Sequence, residues 1–534
     1  MVTTDAPAEV ETTSNASWSP IRIAWSVATG VILVVAAVVV VPSEWRFALF
    51  PPDEGLLLAY PSLILHGWQP NRSFESVYGV VNLWVLGGAF KIGGASVDVE
   101  RAVGALYRLI IVGSLFTLAL RRRGPVAALC AGLLCVIVLA GTIGLAAFAW
   151  LAGLAFGALA LVLADLGLAG APRRSMVVLS GMCFGFMVGC RLDLVVAGGL
   201  ALVVVAWLRP NARRLLGLGA ATGLVPLIVN LVQAGPVAVI DQQLLTPIFV
   251  TGPARRLPLS TLGWQGISLL VLCAATGVAL VALGWRAVRA DRSVWDGVLL
   301  MAIGLFDLGL LPQGLQRSDG VHLALVACWV APSAVMLPAL GFNRSSEEGS
   351  RTGTINLGSV VVPVVVAATS LVLVAGTFGR IWWTALPAVG TPVPEYVVTH
   401  GGRSVPMASA ETAQQLRAIL AAIDARAHTG QKLFVGPHDL TTAGYADTYL
   451  YYLLPELLPA TRYLEMDPGV ANGKNSTLAD ELRNADFLIL NSAYDAFPDA
   501  DPNTRHGSAA PNEVVARDFT PVTTSGTWTL YQRK

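Results

Sequence analysis

Hydrophobic residues make up 54% of the 534-residue chain and charged residues only 13%, about half the charged share of an ordinary soluble domain. A water-soluble fold of this size could not hide so much apolar surface, whereas a bilayer is itself an apolar phase. The formal net charge of +1 carries no signature of a nucleic-acid partner, and all six cysteines (Cys130, Cys135, Cys183, Cys190, Cys273, Cys328) lie in apolar runs, which excludes a disulfide framework or a cysteine metal site in any soluble part.

Residues 1–20 read as a polar cytoplasmic tail. A helical span needs roughly 17–25 mostly apolar residues. Runs that meet or approach this lie at 21–42, 102–120, 125–142, 145–169, 176–190, 193–208, 215–234, 262–284, 294–312, 321–341 and 356–378, about eleven spans in all. The first lacks a small-residue cleavage site and is expected to stay as an anchor. The runs at 176–190 and 193–208 are short and flank Arg191-Leu192-Asp193, which fits a thin hairpin with a polar tip.

Arginine placement orients the spans, because short cytoplasmic loops carry the excess of Lys and Arg. Arg121–Arg123, Arg173-Arg174, Arg209 with Arg213-Arg214, Arg286 with Arg289 and Arg292, and Arg344 with Arg351 alternate correctly if they share the cytoplasmic side. The N-terminus is then cytoplasmic and the chain beyond 380 extracytoplasmic. Two outer segments, 43–100 and 235–261, are too long to be plain connectors. In the first, 54–68 and 78–94 are expected to be amphipathic helices at the interface. The second could instead be a true span, but the arginine pattern after it argues against that.

The division expected is therefore a tail at 1–20, a membrane domain at 21–380 whose outer loop 43–100 holds an acidic motif, and a small α/β extracytoplasmic domain at 381–534. In that last part 409–428 has helical periodicity, 432–437 reads as a strand and 447–458 as a helix. Residues 462–466, 479–485 and 486–492 continue as strand, helix and strand, and 513–519 with 527–534 suit a closing hairpin. No Gly-rich phosphate fingerprint is present, so nucleotide binding is not expected.

Polar groups at membrane depth are costly and tend to mark sites. Asp53-Glu54, in PPDEG, is the sharpest candidate. Adjacent carboxylates beside an apolar helix can leave one partly desolvated and more basic, while a solvated helix N-terminus would also favour acids there. Arg191-Leu192-Asp193 and Gln316-Arg317-Ser318-Asp319-Gly320-Val321-His322 are the next clusters. Arginine offers a planar fork for phosphate, and Asp193 or Asp319 could hold it in place, or each pair could simply cap a helix end. Arg255-Arg256 breaks the arginine bias, so it suits either an anion or an interfacial anchor. Asp307, inside a span, is expected to bond to neighbouring helices.

PPDEG, HGWQP at 66–70, Tyr78-Gly79, the stretch Phe90–Gly94 and Arg101 at the start of the next span resemble the GT-C membrane glycosyltransferases. The closest likeness is to their polyprenyl-phosphate-sugar-dependent, protein-mannosyltransferase-like branch. The resemblance covers mainly 20–125 and the general architecture to 380. It implies that Asp53 binds acceptor and serves as base, with Glu54 as the adjacent acid and Tyr78 in the substrate site. It also implies that basic residues near the outer face hold the lipid phosphate, the candidates being Arg101, Arg191, Arg317 and His322. Where that family has Tyr-Gly-Pro, this chain has Tyr78-Gly79-Val80. GPHDL, TYLYYLLPEL and TRYLEMDPG look like the tails of actinobacterial membrane proteins of this class, and the preference for Arg over Lys fits a high-GC bacterium.

The expectation is an inverting transfer, on the outer face, of a hexosyl or pentosyl group from a polyprenyl-phosphate donor to a cell-envelope glycan, lipid or protein. No cofactor is certain: arginines can stabilise the leaving phosphate without a metal, and Asp53 and Glu54 could instead hold a divalent cation. The rivals are a transporter or lipid flippase and a non-catalytic scaffold. A transporter would be expected to show internal repeats and broken helices at mid-membrane, and the two halves of this chain show no convincing repeat.

Overall fold

Ser96 caps the long helix Val97–Arg123. Its hydroxyl accepts from Val99 N at 3.2 Å, Asp98 and Glu100 fill the first turn, and Arg121, Arg122 and Arg123 fill the last. Each end thus carries charge that complements the helix dipole. The computed structural model describes residues 20–45, 47–49, 52–140, 144–291, 294–337, 357–385, 396–442, 445–495 and 507–534.

The membrane part contains α1 (Pro20–Trp45), α2 (Asp53–Leu65), α3 (Val80–Gly93), α4 (Val97–Arg123), α5 (Pro125–Leu139), α6 (Ala149–Leu168), α7 (Arg174–Cys190), α8 (Val195–Leu208), α9 (Arg213–Gly223), α10 (Val225–Ala234), α11 (Gly263–Ala290), α12 (Trp295–Gln316), α13 (Gly320–Ser333) and α14 (Leu357–Ala385). Among the described residues five helices are long and apolar enough to cross a bilayer, or up to seven if two bent pairs each count as one span. This is fewer than the sequence suggests. The expected spans at 125–142, 176–190 and 321–341 are apolar helices of 10–17 residues, and 15 residues rise only about 22 Å against a hydrocarbon core of about 30 Å. The expected span 215–234 is split between two bent pairs, Leu192–Leu208 with Pro210–Gly223 (116°) and Val225–Ala234 with Pro236–Ala254 (117°). Pro210 and the pair Gly235-Pro236, with Gly235 at φ +90°, mark the corners. The segment 235–261, expected as a loop or a span, is mostly helical and lies beyond the second corner.

The arginine-rich helix ends do gather at one end of the bundle. Arg121 pairs with Asp165 at 2.6 Å, Arg122 pairs with both Asp165 and Asp296, and Arg123 donates to Met336 O at 2.8 Å. The Arg209 guanidinium lies over the Trp295 ring, whose Nε1 donates to Asp165 at 2.8 Å. Arg292, Arg344 and Arg351 lie outside the described residues. Asp307 accepts from Trp329 Nε1 and Ser333 Oγ at 2.9 and 2.7 Å, the interhelical bonding expected of it.

At the opposite end of the 27-residue α4, about 40 Å away, sits the sheet domain. It has strands β1 (Tyr396–His400), β2 (Arg403–Met407), β3 (Lys432–Pro437), β4 (Leu458–Pro459), β5 (Phe487–Asn491), β6 (Phe519–Ser525) and β7 (Trp528–Arg533). β1 and β2 form a hairpin, and the main sheet has the order β4-β3-β5-β7-β6, parallel across β4, β3 and β5 and antiparallel beyond. Helices α15 (Ala410–Asp424), α16 (Tyr449–Leu453), α17 (Leu478–Leu482) and α18 (Ala510–Asp518) complete it. The closing hairpin is β6–β7, one step later than expected. Residues 513–518 are helical because Pro511 and Glu513 suit a first turn and Arg517 a last one. The expected strand 462–466 is a loop, broken by Met466 at φ +58°.

Contrary to expectation, α2 is not amphipathic. Every residue from Glu54 to Leu63 is buried, because the helix is sandwiched between the bundle and the sheet domain. Leu56, Leu58, Tyr60 and Leu63 share one core with Tyr449, Tyr452, Leu416, Ile489 and Trp528. A Cβ on Gly55 would come within 2.8 Å of Tyr449 N, so only glycine allows this approach.

Candidate functional site

Five separate stretches of chain meet around the N-terminus of α2. Asp53 opens that helix without a capping side chain, and its half-buried carboxyl lies within electrostatic reach of Arg255, His322, Arg317 and Asp467. Burial raises its pKa above the ordinary aspartate range, although Arg255, His322 and Arg317 work against that rise.

Tyr78 is set beside Asp53 by its neighbour. Gly79 N donates to Cys190 O at 2.9 Å, and a Cβ on Gly79 would collide with Gly189 and Cys190. The Tyr-Gly pair therefore seats on the end of α7, next to Arg191, whose field Tyr78 feels together with that of Asp53. Arg191 grips Asp193 with two bonds, at 3.1 and 2.7 Å. The loop ahead of Tyr78 is held by a buried amide cluster, in which Asn71 receives Asn230 Nδ2 at 2.9 Å and Gln243 Nε2 at 2.7 Å and donates to Gln242 at 2.8 Å.

The turn between α12 and α13 supplies the next group. Arg317 Nε donates to Asp319 at 2.8 Å and Arg317 Nη2 to Tyr445 Oη at 3.3 Å. Asp319 caps α13 by accepting from His322 N at 2.9 Å, and it also faces His322 Nδ1 at 2.9 Å. Burial works against the Asp319 carboxylate, but the bonds and charge of His322, helped by Arg317, hold its pKa down at about 2. It is an anionic clamp that orients Arg317 and His322.

The sheet domain contributes two carboxyls that the sequence did not single out. Glu465 Oε1 accepts from Tyr78 Oη at 3.1 Å and lies 4.0 Å from Arg255, while Asp467 pairs with Arg255 at 2.9 Å. Burial would lower the Arg255 pKa, and Asp467 and Glu465 more than reverse that. The same guanidinium lies over the Tyr445 ring. The only signal for Arg255 in the sequence was its departure from the arginine bias. Glu465 and Asp467 gave none, because their segment has the alternation of a strand.

Asp53, Tyr78, Arg191, Asp193, Arg317, Asp319 and His322 are thus brought to one end of the bundle. Glu54 and Arg101 are engaged otherwise. Arg101 Nε and Nη2 donate to the two Glu54 oxygens at 2.6 and 3.0 Å, Arg101 Nη1 donates to Trp45 O and Phe47 O, and both side chains are at least 96% buried. The pair ties α2 to α4 and turns both residues toward each other instead of toward a substrate. It also leaves Asp53 and Glu54 unfit as a joint chelate for a divalent ion. Among the described residues one other cluster, His400, Asp424 and Glu456, has metal-ligand spacing. His400 Nδ1 faces Leu453 O at 2.8 Å and Nε2 faces Asp424 at 2.9 Å, so both ring nitrogens are already committed.

No protein-family model matches the sequence, and no curated protein matches it. In structure the chain is similar to ArnT from Cupriavidus metallidurans bound to undecaprenyl phosphate, with TM-score 0.54 and 15% identity over 95% of this chain and 98% of that one. It is similar to the same protein in the apo state (0.53, 17% identity, 95% and 98% covered). It also resembles the apo form of the Archaeoglobus fulgidus oligosaccharyltransferase (0.51, 11% identity, 89% and 70% covered). The likeness extends over nearly the whole chain, bundle and sheet domain together.

Proposed function

The chain is a multi-pass membrane protein with the GT-C glycosyltransferase fold, and on that premise we propose that it transfers a sugar from a polyprenyl-phosphate donor to an acceptor hydroxyl. One observation carries the reading: a carboxyl of raised pKa, Asp53, faces Arg255, Arg317 and His322 at a bundle end covered by a soluble domain. Asp53 takes the proton from the acceptor hydroxyl, which attacks the anomeric carbon from the side opposite the phosphate, with inversion. The monophosphate leaves as an anion. Arg255 and Arg317, oriented by Asp467 and Asp319, stabilise that charge without a metal. His322 supplies a further donor, and Arg191 with Tyr78 closes the acceptor side.

The end bearing the site is extracytoplasmic and the arginine-rich end cytoplasmic, in keeping with the positive-inside rule. The undecaprenyl phosphate of the ArnT structure supports a lipid-linked donor, and the acceptor of this reading is a glycan, lipid or protein of the cell envelope. The test uses purified protein in proteoliposomes with decaprenyl-phosphate-linked mannose, glucose or arabinofuranose. Wild type should release decaprenyl phosphate from one of them in the presence of an envelope extract, and Asp53→Asn should not. Equal turnover by both would remove Asp53 as the base, and a wild type inert on every donor would remove the reading itself.

A further inference from the structure

One acid of the cluster, Glu465, has an oxygen left over. Its side chain is nine-tenths buried. Oε1 receives Tyr78, while Oε2 is shut from solvent and has no hydrogen-bond partner among the described residues. Such a group is costly to bury unless something meets it. The backbone is bent to place it there, because Met466 adopts the left-handed conformation at φ +58°, which is uncommon for a residue with a side chain. That bend puts Glu465 and Asp467 on the same side, both against Arg255.

An inverting displacement needs the acceptor hydroxyl and the leaving phosphate on opposite sides of the sugar ring. In the proposed transfer Asp53 takes the first side, and Arg255 with Arg317 takes the second. Glu465 lies 4.0 Å from Arg255 and acts electrostatically on Asp53 as well, so it is near both groups that the proposed displacement uses. We infer that Glu465 of the sheet domain is a specificity-determining residue that hydrogen-bonds a ring hydroxyl of the transferred sugar through Oε2. The inference rests on the proposed transfer and deepens it: the soluble domain reads the donor sugar. Burial, reinforced by Asp467 and Asp53, raises the Glu465 pKa. A carboxyl oxygen accepts from a neutral ring hydroxyl, which leaves Arg255 to the phosphate.

The test is a functional-group cycle on the full-length protein in proteoliposomes. Wild type and Glu465→Ala are assayed on the accepted decaprenyl-phosphate sugar and on its singly deoxygenated analogues, with decaprenyl phosphate release as the readout. Glu465→Ala should lower kcat/KM about 10-fold or more on the intact donor. One deoxy donor should be as poor for wild type, and Glu465→Ala should lower its turnover no further. A loss of the same factor on every donor, or no loss at all, would overturn the inference and leave the transfer reading standing. A wild type inert on all donors would remove both. Should Glu465→Ala not fold, Glu465→Gln takes its place in the same cycle, with a shifted preference among the deoxy donors expected and an unchanged one decisive against.

Discussion

Tyr78 donates a hydrogen bond to Glu465 at 3.1 Å across 387 residues of chain. One partner belongs to the loop seated on α7 and the other to the sheet domain, so the bond joins bundle and domain at the site itself. Removing the hydroxyl with Tyr78→Phe leaves the Glu465 carboxyl with neither oxygen bonded. The substitution should destabilise the docked state by about 1–3 kcal/mol, seen as faster thermal inactivation in detergent. An unchanged inactivation rate would show that the bond contributes nothing to docking.

The proposed role of Asp53 as base predicts a pH profile. A base acts only when deprotonated, and its pKa lies above the ordinary 3.8, so kcat should rise with pH through an apparent pKa above that value and then level off. Asp53→Asn should lower kcat by about 10²–10⁴ and abolish the rising limb. A limb that persists in this variant would assign it to another group.

The Glu54–Arg101 pair predicts non-additivity. Glu54→Gln leaves a guanidinium buried opposite a neutral group and should cost about 3–5 kcal/mol, read as a lower midpoint of thermal aggregation. Replacing both partners, with Glu54→Leu and Arg101→Met, should cost clearly less than the sum of the singles. Simple additivity would mean that the two do not interact.

Glu75 predicts a pH-dependent stability. Burial raises its pKa from 4.5 to about 7, against the pull of Arg462, whose Nε lies 3.2 Å away. The folded protein therefore binds this proton more tightly than the unfolded chain. The contribution is fully present below pH 4.5 and is lost as pH rises through about 7. Glu75→Gln should flatten the fall in thermal midpoint across that window. A slope equal to wild type would exclude Glu75 as its source.

Gly55 predicts a docking defect. A leucine there meets the backbone of Tyr449, so Gly55→Leu should leave the protein in the membrane but make the sheet domain more sensitive to protease. Resistance equal to wild type would mean that α2 can shift to admit the side chain.

The apolar runs made the polytopic class plain from the sequence, and the strands at 432–437 and 487–491 were visible as short apolar stretches with clear ends. Lengths were less legible. Hydropathy marks where a helix is apolar but not where a corner such as Gly235-Pro236 turns it. Asp53, Arg191, Arg317 and His322 could be singled out because charges near apolar runs are conspicuous. What the sequence hid was pairing: Glu54 looked equivalent to Asp53 until Arg101, 47 positions later, claimed it. Glu465 and Asp467 were hidden by a pattern that suited a strand. Tyr463 and Leu464 are buried there by a loop, with Tyr463 Oη against Thr477 at 3.0 Å, and no ladder is involved.

The helix that begins with Asp53 shares its core with Trp528 of the last strand. During synthesis the ribosome delivers this helix early, and every later span follows before the strand that covers it exists. Insertion into the membrane and maturation of the site are therefore separate events in time. A chain shortened before residue 528 would carry all its spans to the bilayer but lack the tryptophan that packs into the core of this helix.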